Sequence, residues 1–244
     1  MSLRRPAEPS EGLPRRHSGT YDAPVVPPAE LPITFDELTA RAAALAAGPG
    51  RAVLGITGAP GAGKSTLAEA LLANLPTAAH VPMDGFHLAD VALRALGRLD
   101  AKGAPDTFDA GGYVALLRRL LADAEDVVYA PMFERDLEQP LAGAIAVPRS
   151  ARLVITEGNY LLHWPAVRAE LAEVWFCDPD PAVRQARLTA RHVAFGKAPA
   201  FATAWVAAVD APNADLVEAT RGRADLIIPS TVLDGLPRQA TSTR

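Results

Sequence analysis

Residues 58–65 read Gly58-Ala59-Pro60-Gly61-Ala62-Gly63-Lys64-Ser65, and this stretch decides the fold. It fits G-x-x-x-x-G-K-[ST], the phosphate-binding loop. Its glycines let successive backbone N–H groups turn inward around a β-phosphate. Lys64 then reaches the β- and γ-phosphate oxygens, and the Ser65 hydroxyl can hold Mg²⁺. Taken alone the pattern also fits a chance glycine-rich turn. Context argues against that reading. An apolar run from Ala52 to Thr57 reads as a buried strand before the loop, and an Ala/Leu helix from about Lys64 to Leu75 follows it. The start of that helix adds its positive dipole end. The expected nucleotide-binding residues are therefore Gly58, Ala59, Pro60, Gly61, Ala62, Gly63, Lys64, Ser65 and Thr66.

Outward from the loop, a second apolar run around Ala79 to Met83 completes a strand–helix–strand unit. Upstream, Thr34-Phe35-Asp36-Glu37 is a capping box that opens an Ala/Leu helix ending at Gly48-Pro49-Gly50. Downstream the alternation continues. A helix is expected over Tyr113 to Ala122, strands over Asp126 to Ala130 and Arg152 to Thr156, and a helix over Trp164 to Leu171. A strand over Glu173 to Cys177 follows, and Asp180-Pro181 is an N-cap with Pro at the first helical position, opening a helix to about Ala194. A helix near Ala200 to Val209 and a strand over Asp225 to Ile228 close the series. This is one α/β domain over residues 33–234, with a mainly parallel central sheet. The expected architecture is the three-layer α/β/α arrangement of P-loop NTPases, with a helical lid at about 184–200.

Composition bounds the rest. The chain has 244 residues, 49% apolar and 21% charged, enough for one buried core. Its net charge of −4 argues against a protein held on nucleic acid by phosphate contacts. No apolar stretch is long enough to span a membrane. The single cysteine, Cys177, fits a reducing compartment, and a cytoplasmic location is expected. Residues 1–32 hold seven of the 22 prolines and the basic pairs Arg4-Arg5 and Arg15-Arg16, which reads as a disordered arm. No apolar segment follows the arginines, so an export signal is not supported. Residues 235–244 read as a frayed tail. Only Lys64, Lys102 and Lys197 among the 24 basic residues are lysines, which hints at places where a compact ammonium is needed.

P-loops serve several classes. The N-K-x-D guanine reader of a translational-type GTPase is absent, as is an L-S-G-G-Q-like signature. Strand ends then become informative, because open parallel sheets bind ligands there. The second strand ends in Pro82-Met83-Asp84-Gly85-Phe86-His87, and a carboxylate at Asp84 would accept the proton of an acceptor hydroxyl. An Asx-turn or helix N-cap is an equal alternative for Asp84. Glu157, ending the Arg152–Thr156 strand, stands where an acid would hold Mg²⁺ directly or through water. Arg184, Arg187 and Arg191 share one helix face that either closes over the triphosphate or is simply solvated. Trp164 and Trp205 read as core packing.

Taken together, these segments resemble the P-loop kinases grouped with uridine kinase, pantothenate kinase and phosphoribulokinase. They are most similar to the bacterial branch of nucleoside/nucleotide kinase-like or fructose-transport-system kinases. Lys102-Gly103-Ala104-Pro105-Asp106-Thr107-Phe108-Asp109, Pro131-Met132-Phe133-Glu134-Arg135, Glu157-Gly158-Asn159-Tyr160 and Asp210-Ala211-Pro212-Asn213-Ala214 carry the likeness with the segments above. The resemblance implies that Asp84 is the catalytic base and that Lys64, Arg187 and Arg191 act on the transferred group, with Arg187 and Arg191 in the lid. It implies ATP as donor, Mg²⁺ on Ser65 and Glu157, and an acceptor site containing Phe86, His87, Lys102, Asp106, Arg135 and Tyr160. Glu134 departs from the family pattern, where an Asp is usual. The acceptor stays open among a nucleoside, a pantothenate-like alcohol and a sugar or sugar phosphate. Arg135 with Lys102 would suit an anionic one. The implied partner is this small molecule, with no nucleic acid or membrane, and a homodimer is compatible. The competing class is a non-catalytic nucleotide-binding regulator, which would lack a base or a lid arginine.

Overall fold

In the computed structural model, which describes residues 33–236, the capping box read from the sequence opens the first helix. The Thr34 hydroxyl accepts from the Glu37 N–H at 3.2 Å, and the Glu37 carboxylate accepts from the Thr34 N–H at 2.8 Å. Two otherwise orphaned donors are thereby satisfied. Along the chain follow α1 (Phe35–Ala46), β1 (Ala52–Thr57), α2 (Lys64–Asn74), β2 (Ala78–His80), α3 (Asp90–Ala95) and α4 (Ala110–Ala122). Next come β3 (Val127–Glu134), β4 (Gln139–Pro148), β5 (Leu153–Glu157), α5 (Pro165–Arg168) and β6 (Glu173–Asp178). The series ends with α6 (Pro181–Ala194), α7 (Pro199–Trp205), α8 (Ala211–Glu218), β7 (Leu226–Pro229) and α9 (Ser230–Gly235). The arm of residues 1–32 and the tail beyond Leu236 lie outside the described residues, while Leu236 itself is buried.

Five strands form a sheet in the order β2-β5-β1-β6-β7, every pair parallel. Period-two alternation sends their side chains to two cores. Leu54, Ile56, Ile155, Trp175, Cys177 and Ile228 pack with α1, α2 and α9 on one face. Val53, Val154, Val174, Phe176 and Ile227 pack with α4 on the other. These are the three layers the alternation predicts. β5 lies between β1 and β2, so the carboxyl ends of these three strands stand side by side at one edge of the fold.

Three expectations change. The run after Asp126 is not a further parallel strand but half of an antiparallel hairpin, β3–β4, outside the main sheet. Pro131 lacks the N–H that a central strand needs, and the register shifts between Ala130 and Met132. The helix expected over Trp164 to Leu171 shrinks to α5, the residues after Arg168 forming a turn. The helix expected near 200–209 ends at Trp205 and continues as a π-helical turn, Val206–Asp210, into α8.

Arg51 ties the layers together beneath the sheet. Its guanidinium donates to the carbonyls of Ala151 (2.8 Å), Leu120 (3.0 Å) and Pro148 (3.1 Å) and pairs with Asp123 at 3.0 Å. Removing a buried, multiply bonded cation leaves several carbonyls without donors. Arg51→Met should lower unfolding stability by about 3 kcal/mol, read as a shifted urea midpoint at unchanged m-value. His80 sets an acid limit. Its Nε2 is buried without a hydrogen-bond partner, and burial holds its pKa down at about 4. Because the unfolded chain protonates first, stability should be intact above about pH 6.5 and fall as pH drops toward 4. His80→Phe should flatten urea midpoints measured across that window.

Candidate active site

The phosphate loop is built on left-handed backbone. Gly58, Gly61 and Gly63 have φ of 144°, 82° and 90°. A Cβ on Gly58 would stand 2.7 Å from the Cys177 carbonyl oxygen, and one on Gly61 would stand 3.0 Å from that of Arg184. Only glycine lets the loop lie this close to β6 and α6. Gly63 caps α2 without a side-chain hydrogen bond, so the first N–H groups of the helix face the loop with no side chain competing for them. Lys64 is buried, and its ammonium donates to the carbonyls of Gly58 (2.9 Å) and Ala59 (3.1 Å) and to Asn159 Oδ1 (2.7 Å). Burial pulls its pKa down, opposed chiefly by the Glu157 charge.

Two carboxylates face this lysine from neighbouring strand ends. Glu157 closes β5, and Ser65 donates to its Oε1 at 3.1 Å. Burial, then the Asp84 charge, raise the Glu157 pKa, while Lys64 and Ser65 oppose them. Asp84 sits on a one-turn 3₁₀ helix, Met83–Phe86, that replaces the end of the expected strand. The glycine beside each acid is required by close approach. A Cβ on Gly85 would stand 2.3 Å from the Pro131 carbonyl oxygen, and one on Gly158 would stand 2.5 Å from Met83 Cβ. The turn bearing Asp84 is thus wedged between the end of β5 and the hairpin.

Of the three arginines on α6, only Arg191 takes its place among these groups. Helical rotation brings residues i and i+7 within about 20° but turns i+3 some 60° aside. Arg184 accordingly reaches the Pro60 carbonyl of the phosphate loop at 3.2 Å. Arg187 instead pairs with Asp234 on α9 at 2.7 Å, away from the carboxylates. Arg191 is exposed. Surrounding protein and the nearby Arg135 lower its pKa, while Asp210, Asp84 and Glu157 oppose them. Next to it, His192 Nε2 donates to Asp210 at 2.8 Å, tying α6 to the π-helical turn.

The expected acceptor residues divide. Phe86 is buried against Tyr113, with ring centroids 4.7 Å apart. Tyr160 is fully buried, and its hydroxyl donates to the Gly103 carbonyl at 2.6 Å. Both pack into the core beside the Asp84 turn. His87 donates from Nδ1 to the Asp84 carbonyl at 2.8 Å and stacks on Phe108 and Phe133, at 4.0 and 4.7 Å. Asp106 is exposed and paired with Arg98 at 2.7 Å. Lys102 bonds Asp90 at 2.7 Å and the Glu138 carbonyl, and lies over the Phe133 ring. Arg135 lies at the hairpin tip, its guanidinium 3.8 Å from the Asp84 carboxylate. Asn159, Phe108, Phe133 and Asp210 were quoted in the motifs without a role. Their side chains complete the lysine shell, the aromatic floor and the α6 tie.

Comparison with known proteins agrees with this geometry. A "Putative uridine kinase" of Schizosaccharomyces pombe is 30% identical over 228 residues, 86% of this chain and 94% of that protein. The chain belongs to the P-loop kinase family of uridine kinase and pantothenate kinase. The Escherichia coli protein YggC is 36% identical over 194 residues, 74% of this chain and 78% of its own length. A crystal structure of a "putative fructose transport system kinase" from Silicibacter sp. TM1040 superposes with a TM-score of 0.74 at 36% identity, covering 81% of this chain and all of that one. A family model described as methylmalonyl Co-A mutase-associated GTPase MeaB matches residues 36–81 alone. That segment runs from α1 through the phosphate loop to just past β2 and omits every other part of the site.

The kinase's nucleotide loop provides a direct check. Gly58→Ala must displace either the loop or the Cys177 carbonyl, whereas a Cβ on Gly50 meets nothing within 4 Å. Binding of a fluorescent ATP analogue should weaken at least about tenfold in Gly58→Ala and stay unchanged in Gly50→Ala.

Proposed function

We propose that this kinase transfers the γ-phosphoryl group of ATP to a hydroxyl of a small metabolite, with Mg²⁺ as cofactor. The observation that carries the reading is the seating of Asp84. Its carboxylate, on the 3₁₀ turn that follows β2, is one-third exposed, with Lys64 and Glu157 near it on the sheet side and Arg135 and Arg191 approaching from the peripheral elements. A group so placed suits the acceptance of a proton from an incoming alcohol.

The oxygen set fits the cofactor. Mg²⁺ takes one or two protein oxygens together with phosphate oxygens and water, and the Ser65 hydroxyl and Glu157 carboxylate already converge within 3.1 Å. Bound there, Mg²⁺ would neutralise charge on the β- and γ-phosphate oxygens. The rest falls to side chains. Lys64 exchanges its loop-carbonyl partners for phosphate oxygens, and the N–H groups opening α2 hold the β-phosphate. The acceptor oxygen forms a bond to the γ-phosphorus as the bridge to the β-phosphate breaks, and ADP leaves. Asp84 takes the hydroxyl proton. Arg191 supplies positive charge to the transferred group, oriented by its neighbour His192 through Asp210. Arg187, held on Asp234, is assigned to anchoring α6 rather than to the reaction.

Asp84→Asn keeps size and hydrogen bonding but cannot take up the proton. ADP release from Mg·ATP, measured against uridine, cytidine, pantothenate, fructose and ribulose 5-phosphate, should fall by about 10²–10⁴-fold in this variant with the preferred acceptor. Binding of the fluorescent ATP analogue should be unchanged. Full turnover in Asp84→Asn would move the base to another residue.

A further inference from the structure

Of the cations around the acceptor side of the site, some are spent on acids of their own and two are not hydrogen-bonded to any described residue. Asp90 is held by Lys102 at 2.7 Å and approached by Arg94 at 3.5 Å, and Asp106 is held by Arg98 at 2.7 Å. Lys102, one of the two cations expected to meet an anionic acceptor, is therefore already committed. It also bonds the Glu138 carbonyl, while the Asp90 N–H donates to Gln139 at 3.0 Å. These bonds fasten the β3–β4 turn over the cleft. At that turn stands Arg135, with 56% of its side chain exposed and no hydrogen bond to any described residue. Its nearest acid is Asp84, at 3.8 Å, beyond hydrogen-bond reach. Arg191 faces the same space and likewise has no hydrogen-bond partner among the described residues; the two cations lie close enough for Arg135 to depress the Arg191 pKa.

Two guanidinium groups on separate elements, neither hydrogen-bonded to a described residue and both near the Asp84 carboxylate, repel each other and stay together only because the fold holds them. Arg135 has five N–H donors in a planar fork, matched to a carboxylate or phosphate group. Closing that fork on Asp84 would occupy the oxygens an acceptor hydroxyl needs. We infer that Arg135, presented by the Lys102-fastened turn, binds an anionic group on the acceptor, so that the preferred acceptor is a hydroxylated carboxylate or phosphate rather than a neutral alcohol or nucleoside. An anion there occupies the fork and leaves the Asp84 oxygens to the hydroxyl. A neutral acceptor leaves Arg135 free to compete for them. The inference rests on the phosphoryl-transfer reading above and assigns the specificity of that same site.

Matched pairs that differ only in the anion provide the test: glycerate against glycerol, pantothenate against panthenol, and ribulose 5-phosphate against ribulose. ADP release should favour the anionic member of at least one pair by about 30-fold or more in kcat/KM. Arg135→Gln should reduce that preference to less than about threefold, through the acceptor KM and with the ATP KM unchanged, and Arg135→Lys should restore part of it. Equal use of the neutral partners would overturn the inference. So would an Arg135→Gln variant whose ATP KM rises as much as its acceptor KM, which would assign the residue to the nucleotide. Calorimetric titration with a non-hydrolysable ATP analogue present separates the two readings. An anionic member that binds the wild type but not Arg135→Gln, with no turnover, would uphold the recognition site and defeat phosphoryl transfer. No binding and no turnover by any member would defeat the inference as well.

Discussion

The site is organised by the burial of one ammonium group. Lys64 lies out of water, and a cation there is tolerated only if every N–H finds an oxygen and a counter-charge stands near. Three oxygens meet it, two from the phosphate loop and one from Asn159 just beyond β5. The first two require the loop to curl back on its own helix, which only glycines at positive φ allow. The third requires the end of β5 to lie beside β1, as their parallel register provides. Local sequence and sheet topology are therefore joined at one side chain.

From there the other groups follow by adjacency. Glu157 precedes the Gly158-Asn159 pair, and Asp84 lies one strand further out, because β2 pairs with β5 rather than with β1. The acids sense each other, which is part of why the buried Glu157 holds its proton more tightly than an ordinary carboxyl. Cations come from outside the sheet, Arg191 from α6 and Arg135 from the hairpin. The sheet thus supplies the fixed acids and the peripheral elements supply the charge that opposes them.

Elements whose burial follows a simple period were legible in the sequence. β1 and α6 match their expected bounds because an apolar run and an Asp-Pro cap speak for themselves. The hairpin was not, since β4 is largely exposed and carries no buried run to announce it. A π-helical turn keeps a helical composition and differs only in which carbonyl each N–H meets, so the break before Asp210 left no mark. In the site, the phosphate loop, Glu157 and Asp84 stood out in the sequence because their positions follow strand ends, and the structure gathers them around Lys64. Arg187 parts from Arg191 because helix spacing specifies a face only to within a wide angle, and Asp234 holds its side chain. Phe86 and Tyr160 were assigned outward, but aromatic rings next to a cleft can equally form its foundation. Glu134 shows a subtler effect. Its longer side chain accepts from the Asp136 N–H at 3.2 Å, closing the hairpin turn on itself.

The contact between Gly85 and the Pro131 carbonyl has an evolutionary corollary. The hairpin pairs only with itself and contributes no rung to the five-stranded sheet. Its base presses on the turn bearing Asp84, but its tip, residues 135–138, hangs beyond that contact. Substitutions at the tip can change the charge beside Asp84 without shifting the sheet. A lineage built on this scaffold can therefore rewrite four residues beside the cleft carboxylate while the five-stranded sheet is inherited intact.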